Sequence, residues 1–254
     1  MARYDLSDDE WRLVEALLPK PGKGKHRVDD RRVVNGIFYV LRTGAPWRDL
    51  PERYGPYTTV YNRFNRWAKR GIWLKVFEEL AQRSPQSLQL IDSSIVRAHQ
   101  HAARGKKGGE DHAIGRSRGG LSTKIHAVVD QDGLPVGLHI TPGQASDKTA
   151  APVLLDALPP GTLIADRGYD SLALVERVAA RGGTAHIPTQ SRVRLQRSVP
   201  PELYRRRNLI ERFFCKLKQF RRIATRFDKH ATNFLAAVAL ASARISLKFI
   251  ESAL

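Results

Sequence analysis

The sequence predicts an α/β fold: a mixed sheet flanked by helices, preceded by a small all-α, helix-turn-helix-like domain. Three observations lead there. Residues 1–84 show helical periodicity punctuated by caps and breakers. From residue 88 the texture changes to runs rich in Leu, Ile and Val, with one clear hairpin signal. Short helices and strands then alternate before long helices close the chain. With 254 residues, 42% of them hydrophobic, the chain can build one substantial core and a small satellite. The texture change divides it into domains 1–84 and 85–254.

The first helix opens at "LSDDEW", where Ser7 can cap, Glu10 can answer as a capping box and Leu6 can staple onto Trp11; it closes by Pro19. The Gly-rich, basic "PKPGKGKHR" reads as a linker. A second helix runs from about Asp29 to Thr43, where "GAPW" stops it, and a third begins near Thr58. In "TTVYNRFNRWAKRG", Val60, Phe64 and Trp67 stack on one side while Asn62, Asn65, Arg66 and Lys69 line the other. Outward Asn and Arg on the later helix of a helix-turn-helix can pair bidentately with adenine and guanine edges in a major groove. A solvated face on an ordinary bundle helix is the competing reading.

In the second domain "LQLIDSSIV" has the composition of a strand buried on both faces. "GLSTKIHAVVDQDGLPVGLHITPG" holds two strands hinged at Asp132 and Gly133. "APVLLDAL" is a short helix, "GTLIAD" a short strand, residues from about Ser171 to Arg181 a helix, and "TAHIP" a strand. Three early strands including a hairpin, then alternating helix and strand, match the order of a ribonuclease H-like core. Between them "HQHAARGKKGGEDHAIGRSRGG", residues 99–120, reads as a flexible loop able to order on a DNA backbone. Its His99, His101 and His112 lack the cysteine partners and compact spacing of structural zinc sites.

The balance of 43 basic against 25 acidic residues, net +18 with a pI near 10.5, makes a polyanion the leading partner, because bound phosphates release counterions. An anionic membrane surface competes, but the longest apolar run, "FLAAVALASA" at 234–243, falls short of a span and suits a buried or dimer-packing helix. No signal peptide is recognisable. The single cysteine, Cys215, excludes an internal disulfide and fits a reducing cytoplasm.

"LYRRRNLIERFFCKLKQFRR" carries eight arginines and lysines and one acid, Glu211. Read as one helix from about Glu202 to Ile223, it places Leu209, Ile210, Phe213, Phe214, Leu217 and Phe220 on a core face. Tyr204, Arg207, Glu211 and Lys218 then share a neighbouring stripe about 60° wide. A surface ion pair would explain Glu211, but other acids lie in telling places. Asp92 interrupts an apolar strand, where an unpaired charge is costly. Asp166 ends the "TLIAD" strand, at the carboxyl edge where open α/β sheets put their sites, although a turn aspartate would look the same. Three converging carboxylates repel unless cations offset them. Such an all-oxygen set suits two Mg²⁺ or Mn²⁺ ions about 3.5 to 4 Å apart, one activating an attacking oxygen and one stabilising a departing 3′ oxygen. Arg207 and Lys218 would then neutralise nearby phosphates.

Tyr204, Arg207, Glu211 and Lys218 have the spacing of the Tyr-Arg-Glu-Lys signature of DDE transposases. With "LIDSSIVRAH", "GRSRGGLSTKIHAVVD", "TPGQASDKTAA", "LIADRGYDS" and "NLIERFFCKLKQFRRIATRFDK", the chain resembles the bacterial insertion sequence 5 family over nearly its whole length. The resemblance implies a ribonuclease H-like core with Asp92, Asp166 and Glu211 as catalytic metal ligands. It further implies action in the bacterial cytoplasm at the nucleoid, terminal inverted repeats bound through residues 1–84, and a homodimer or higher oligomer on paired double-stranded DNA ends. Tyr204, Arg207 and Lys218 would contact DNA. Only 44 residues, 167–210, separate Asp166 from Glu211, with no tryptophan, leaving little room for the insertion domain of some relatives. A metal-dependent nuclease of the same fold and a catalytically silent DNA-binding repressor remain open alternatives.

Overall fold

The computed structural model describes residues 3–20, 28–103, 112–194 and 196–253. Among these the chain runs α1 (Asp8–Glu15), α2 (Asp30–Thr43), α3 (Tyr57–Lys69), α4 (Ile72–Ala81), β1 (Leu88–Ala98), α5 (Gln100–Ala103), β2 (Gly115–Ser117), β3 (Gly120–Val129) and β4 (Pro135–Pro142). It continues through α6 (Asp147–Asp156), β5 (Thr162–Ile164), α7 (Leu172–Ala180), β6 (Thr184–His186), α8 (Pro201–Arg205), α9 (Asn208–Lys218), α10 (Arg221–Ala224), β7 (Thr225–Arg226) and α11 (Ala231–Ala253). Two compact units result: Met1–Leu80, His99–Gly108 and Leu217–Leu254 form one, Ala81–Ala98 and Gly109–Lys216 the other.

The first unit is helical. Ser7 and Glu10 form the expected capping box on α1, and Leu6 beside it is fully buried. Asp29 caps α2 by accepting from the Arg32 N–H at 2.9 Å. Gly44 ends α2 at φ 74°, where an added Cβ would also come within 2.9 Å of the Arg221 Cβ, so both conformation and space call for glycine. Val60, Phe64 and Trp67 are buried on α3 as the periodicity predicts, and the Trp73 indole donates to the Phe64 carbonyl at 3.0 Å. Glu10 has a second duty, a buried ion pair with Arg244 of α11. Breaking such a pair costs far more than forming it gains, because the surviving charge stays desolvated. Within α11, Ala231–Ser252 has the length and hydropathy (mean 1.4) of a membrane span, yet 72% of its apolar window is buried inside the protein. It is a core helix.

The second unit is built on β1 to β6. On one edge of β3 lies β1, antiparallel; on the other lie β4 and β2, both antiparallel. Beyond β1 come β5 and then β6, both parallel. The order 4-3-1-5-6, with three antiparallel strands followed by parallel ones, is the ribonuclease H-like arrangement. Asp92 lies opposite Ala127 and Ser93 opposite His126, so consecutive residues of β1 serve opposite faces. The hairpin between β3 and β4 turns at Gly133, φ 76°. Asp130 secures it by accepting from the N–H groups of Asp132 and Leu134, each at 2.9 Å.

Two expectations change. The glycine-rich stretch 99–120 is more structured than a loop: α5 opens it, and Gly115–Ser117 pairs with Gly120–Ser122 as a tight hairpin; residues 104–111 lie outside the described residues. Nor is 202–223 one helix. Amide-to-carbonyl bonds three residues apart, Arg206 to Leu203, Arg207 to Tyr204 and Leu209 to Arg206, tighten the chain between α8 and α9. The core face survives in Ile210, Phe213, Phe214, Leu217 and Phe220, while Leu209 is only half-buried.

His126 gives this unit a pH dependence. It is fully buried, and burial first of all pushes its pKa down to about 4, with Lys124 and His139 adding to the effect and Asp147 opposing it. The unfolded chain takes up the proton near pH 6.5, so stability is full above that value and falls progressively as pH drops toward 4. Urea midpoints of His126→Gln, measured from pH 7.5 to 4, are expected to decline less steeply than those of the wild type.

Candidate active site

Leu88 to Ile91 are buried on both faces of β1, and Asp92 is the first residue at which the strand opens toward solvent. Its carboxylate accepts from the Ser93 N–H at 2.7 Å through Oδ1 and pairs with Arg207 Nη2 at 2.6 Å through Oδ2. The other terminal nitrogen of Arg207, Nη1, pairs with Glu211 Oε1 at 2.7 Å, one helical turn onward. One guanidinium thus bridges two acids that are 119 positions apart in the chain (211 − 92). The fork geometry of Arg suits such a bridge.

Asp166 stands just past β5. It caps the 3₁₀ turn Arg167–Tyr169, with Oδ1 accepting from the Gly168 N–H at 2.8 Å. Its charge reaches the other members of the group. Burial raises the Asp92 pKa and Asp166 raises it further, against the lowering influence of the Ser93 N–H and Arg207. For Arg207, burial opposes the charge, but Asp92, Glu211 and Asp166 outweigh it and lift the pKa above its ordinary value. Asp92 and Arg207 are mostly buried, with side chains 17% and 19% exposed, whereas Glu211 at 53% lies at the rim. Low local polarity strengthens the inner interactions.

The donor set is all oxygen and anionic, which fits a hard divalent cation. Among the described residues, however, no three His, Cys, Asp or Glu side chains stand close enough to ligate one ion. Arg207 is what stands with them. The structure therefore departs from the expectation that Arg207 points outward toward phosphates: its charge is spent on the acids. Tyr204 is half-buried on α8, and Lys218, the last residue of α9, is exposed.

Sequence reading passed over Tyr169, Ser93 and Asp147. Tyr169 is buried; burial chiefly, then the charges of Asp147, Asp92 and Asp166, raise its pKa. An aromatic residue three places after Asp166, in a turn too short to form a core of its own, was the available signal.

On α3, Asn62, Arg66 and Lys69 are exposed. Asn65 differs: half-buried, its side-chain oxygen accepts from Asn233 of α11 at 2.8 Å. A side chain tied down within the helical unit is a packing contact, so Asn65 leaves the candidate base-reading set.

Comparison with known proteins bears on the family and the fold. Residues 6–77 match a family model described as "Putative transposase of IS4/5 family", and residues 83–245 match "Transposase DDE domain". The chain is 43% identical over 133 residues to "Putative transposase for insertion sequence element IS6501" of Brucella ovis, covering 50% of this chain and all of that one. It is 33% identical over 130 residues to "Insertion element IS402 uncharacterized 16.2 kDa protein" of Burkholderia cepacia, covering 46% of this chain and 86% of that one. Among solved structures, the piggyBac transposase synaptic complex with hairpin DNA superposes with a TM-score of 0.53 at 11% identity, covering 96% of this chain and 72% of that chain, a likeness of fold. The chain belongs to the transposase DDE domain family, enzymes that transfer phosphoryl groups in DNA.

Proposed function

We propose that this transposase cleaves phosphodiester bonds at the terminal inverted repeats of an insertion element and joins the freed 3′ hydroxyl to target DNA, using Asp92, Asp166 and Glu211 as metal ligands. The observation that supports the reading is the Arg207 guanidinium bridging Asp92 and Glu211, with the charge of Asp166 bearing on both Asp92 and Arg207. The family generally uses divalent metal ions. Two such ions, Mg²⁺ or Mn²⁺, supply activation of the attacking oxygen and charge stabilisation at the departing one when bound. Asp92 would hold from within β1 and Asp166 from the end of β5, and Glu211 from a helix whose rim position leaves it free to adjust. With a cation in its place between Asp92 and Glu211, Arg207 would be free to neutralise a phosphate, and Lys218 and Tyr204 would contact the same DNA. Nothing in this scheme asks a protein side chain to act as nucleophile.

Residues 1–84 bind the element ends and residues 85–254 carry the catalysis, with a homodimer or higher assembly holding paired ends in the bacterial cytoplasm. Asn62, Arg66 and Lys69 are the base- and backbone-contacting set on α3. Arg66→Ala is expected to cost roughly 1 to 3 kcal/mol on the correct end and less on random duplex, read by competition gel shift across a salt series. Equal losses on both would make it a backbone contact.

The function itself is tested by incubating the protein with Mg²⁺, a labelled terminal repeat and supercoiled target. Defined cuts at the repeat boundary, followed by covalent joining to target, are the expected result. Cutting without joining would leave a nuclease, and binding without cutting a repressor.

A further inference from the structure

On the sheet face opposite Asp92 lies a second set of charged groups that the proposed chemistry does not use. Asp147, in the first turn of α6, receives the Ser93 hydroxyl at 2.7 Å and the Lys124 ammonium at 2.9 Å, both on Oδ1. Lys124 also donates to the Ala145 carbonyl at 2.7 Å, which ties the segment leading into α6 to β3. The His126 ring, neutral and buried, approaches the same oxygen at 3.7 Å and bonds Thr141 on β4 through Nε2 at 2.8 Å. Lys124 and Asp147 are 10% and 28% exposed, so this pair is less screened than a surface pair.

Ser93 bonds both this set and the acids, and the buried Tyr169 ring lies beside the same groups. Ser93 turns its hydroxyl to Asp147 on one face while its backbone N–H donates to the Asp92 carboxylate at 2.7 Å. A bond from a residue to its immediate predecessor holds the Asp92 carboxylate only as firmly as the Ser93 backbone itself is held. The ladder with β3 holds Ser93 on one edge, opposite His126, while the pairing with β5 stops at Leu90. A hydroxyl anchored to a carboxylate that Lys124 also binds adds a second hold.

We infer that Ser93 and Asp147 form a positioning relay, running from Lys124 through Asp147 and Ser93, that fixes the orientation of the Asp92 carboxylate from behind the sheet. Neither residue touches DNA or the reacting atoms, and the relay rests on Asp92 being a metal ligand. A serine of β1 and an aspartate in "GQASDK" are thereby given a shared role.

Asp147→Ala would strand the Lys124 charge and lower stability, so the decisive variant is Ser93→Ala, which removes one hydroxyl and keeps the backbone N–H. Two quantities are read on the full chain: Mn²⁺ affinity without DNA, by titration calorimetry, and the kcat and KM of end cleavage. Ser93→Ala is expected to weaken Mn²⁺ binding and lower kcat, each by about 10- to 100-fold, with KM for DNA and the melting temperature little changed. Ser93→Thr, which restores the hydroxyl on a residue suited to a strand, is expected to recover both. Wild-type Mn²⁺ affinity and kcat in Ser93→Ala would overturn the relay, as would equal impairment of the Ala and Thr variants in step with lost thermal stability. Asp92→Asn run in parallel separates the two levels. If it keeps Mn²⁺ binding and cleavage, the ligand assignment falls and the relay with it; if it abolishes both while Ser93→Ala is normal, only the relay falls.

Discussion

Asp92→Asn, Asp166→Asn and Glu211→Gln are each expected to lower end cleavage by about 10³-fold or more while leaving end binding within a small factor. In the proposed chemistry each change removes one ligand charge from a cation whose contribution to the transition state is several kcal/mol, and about 4 kcal/mol corresponds to roughly three powers of ten in rate. None removes a positive charge, so the affinity for phosphate is preserved. The three differ in their effect on the protein itself. Asp92→Asn weakens an inner pair with Arg207 whose side chains are 17% and 19% exposed, whereas Glu211→Gln weakens a rim pair that water already screens. Thermal melts without metal should therefore show Asp92→Asn as the more perturbed of the two. A cleavage assay and a gel shift on one labelled repeat check the main claim; a normal rate in Asp166→Asn would remove the site as assigned.

Much of this site could be read from residue types and spacing. A lone acid in an apolar strand, another at a strand's carboxyl end and a third in a basic helix are each anomalous against a physical cost, and two of them, Asp92 and Glu211, meet on Arg207. The fold was legible for a similar reason: capping signals at Ser7 and Asp29, the stop at Gly44 and the turn at Gly133 are local chemistry, and the elements they bound occur where expected. What was not legible depends on groups distant in sequence. A helical wheel assumes a constant rotation per residue, and the tightened turn between α8 and α9 breaks that assumption just where Tyr204 and Arg207 sit. Asn65 looked like its exposed neighbours because its partner, Asn233, lies 168 positions away. Asp147 resembled an ordinary first-turn aspartate of α6, and its bonds to Ser93 and Lys124 follow from a strand register that no local pattern announces. That Arg207 pairs with the acids was not legible either, because spacing alone does not say which way a long side chain turns.

Arg207 yields the second large expectation, and it separates two roles that are easily merged. In metal-free protein Arg207→Ala leaves Asp92 and Glu211 without the cation that offsets their repulsion. A buried pair broken on one side costs about 3 to 5 kcal/mol; partial exposure here reduces that to about 2 kcal/mol, a fall of several degrees in melting temperature. Mn²⁺ should recover more of the loss in the variant than it adds to the wild type, because an incoming ion no longer has to displace a guanidinium. The variant is accordingly expected to bind Mn²⁺ more tightly and yet to cleave DNA more slowly, since the phosphate contact proposed for Arg207 would be lost. Acid should act in the same direction as metal. The Asp92 pKa is already raised, so its unfavourable contribution is absent below the carboxylate's unfolded value and grows as pH rises through the folded one. Loss of Arg207, which lowers that pKa, pushes it higher still, so the stability gap between variant and wild type should narrow as pH falls. Melting curves in chelator and in Mn²⁺ across pH, set beside cleavage rates, decide the matter. Weaker Mn²⁺ binding in Arg207→Ala, with no recovery of the melt, would mean that the arginine helps to build the ion site and does not compete for it.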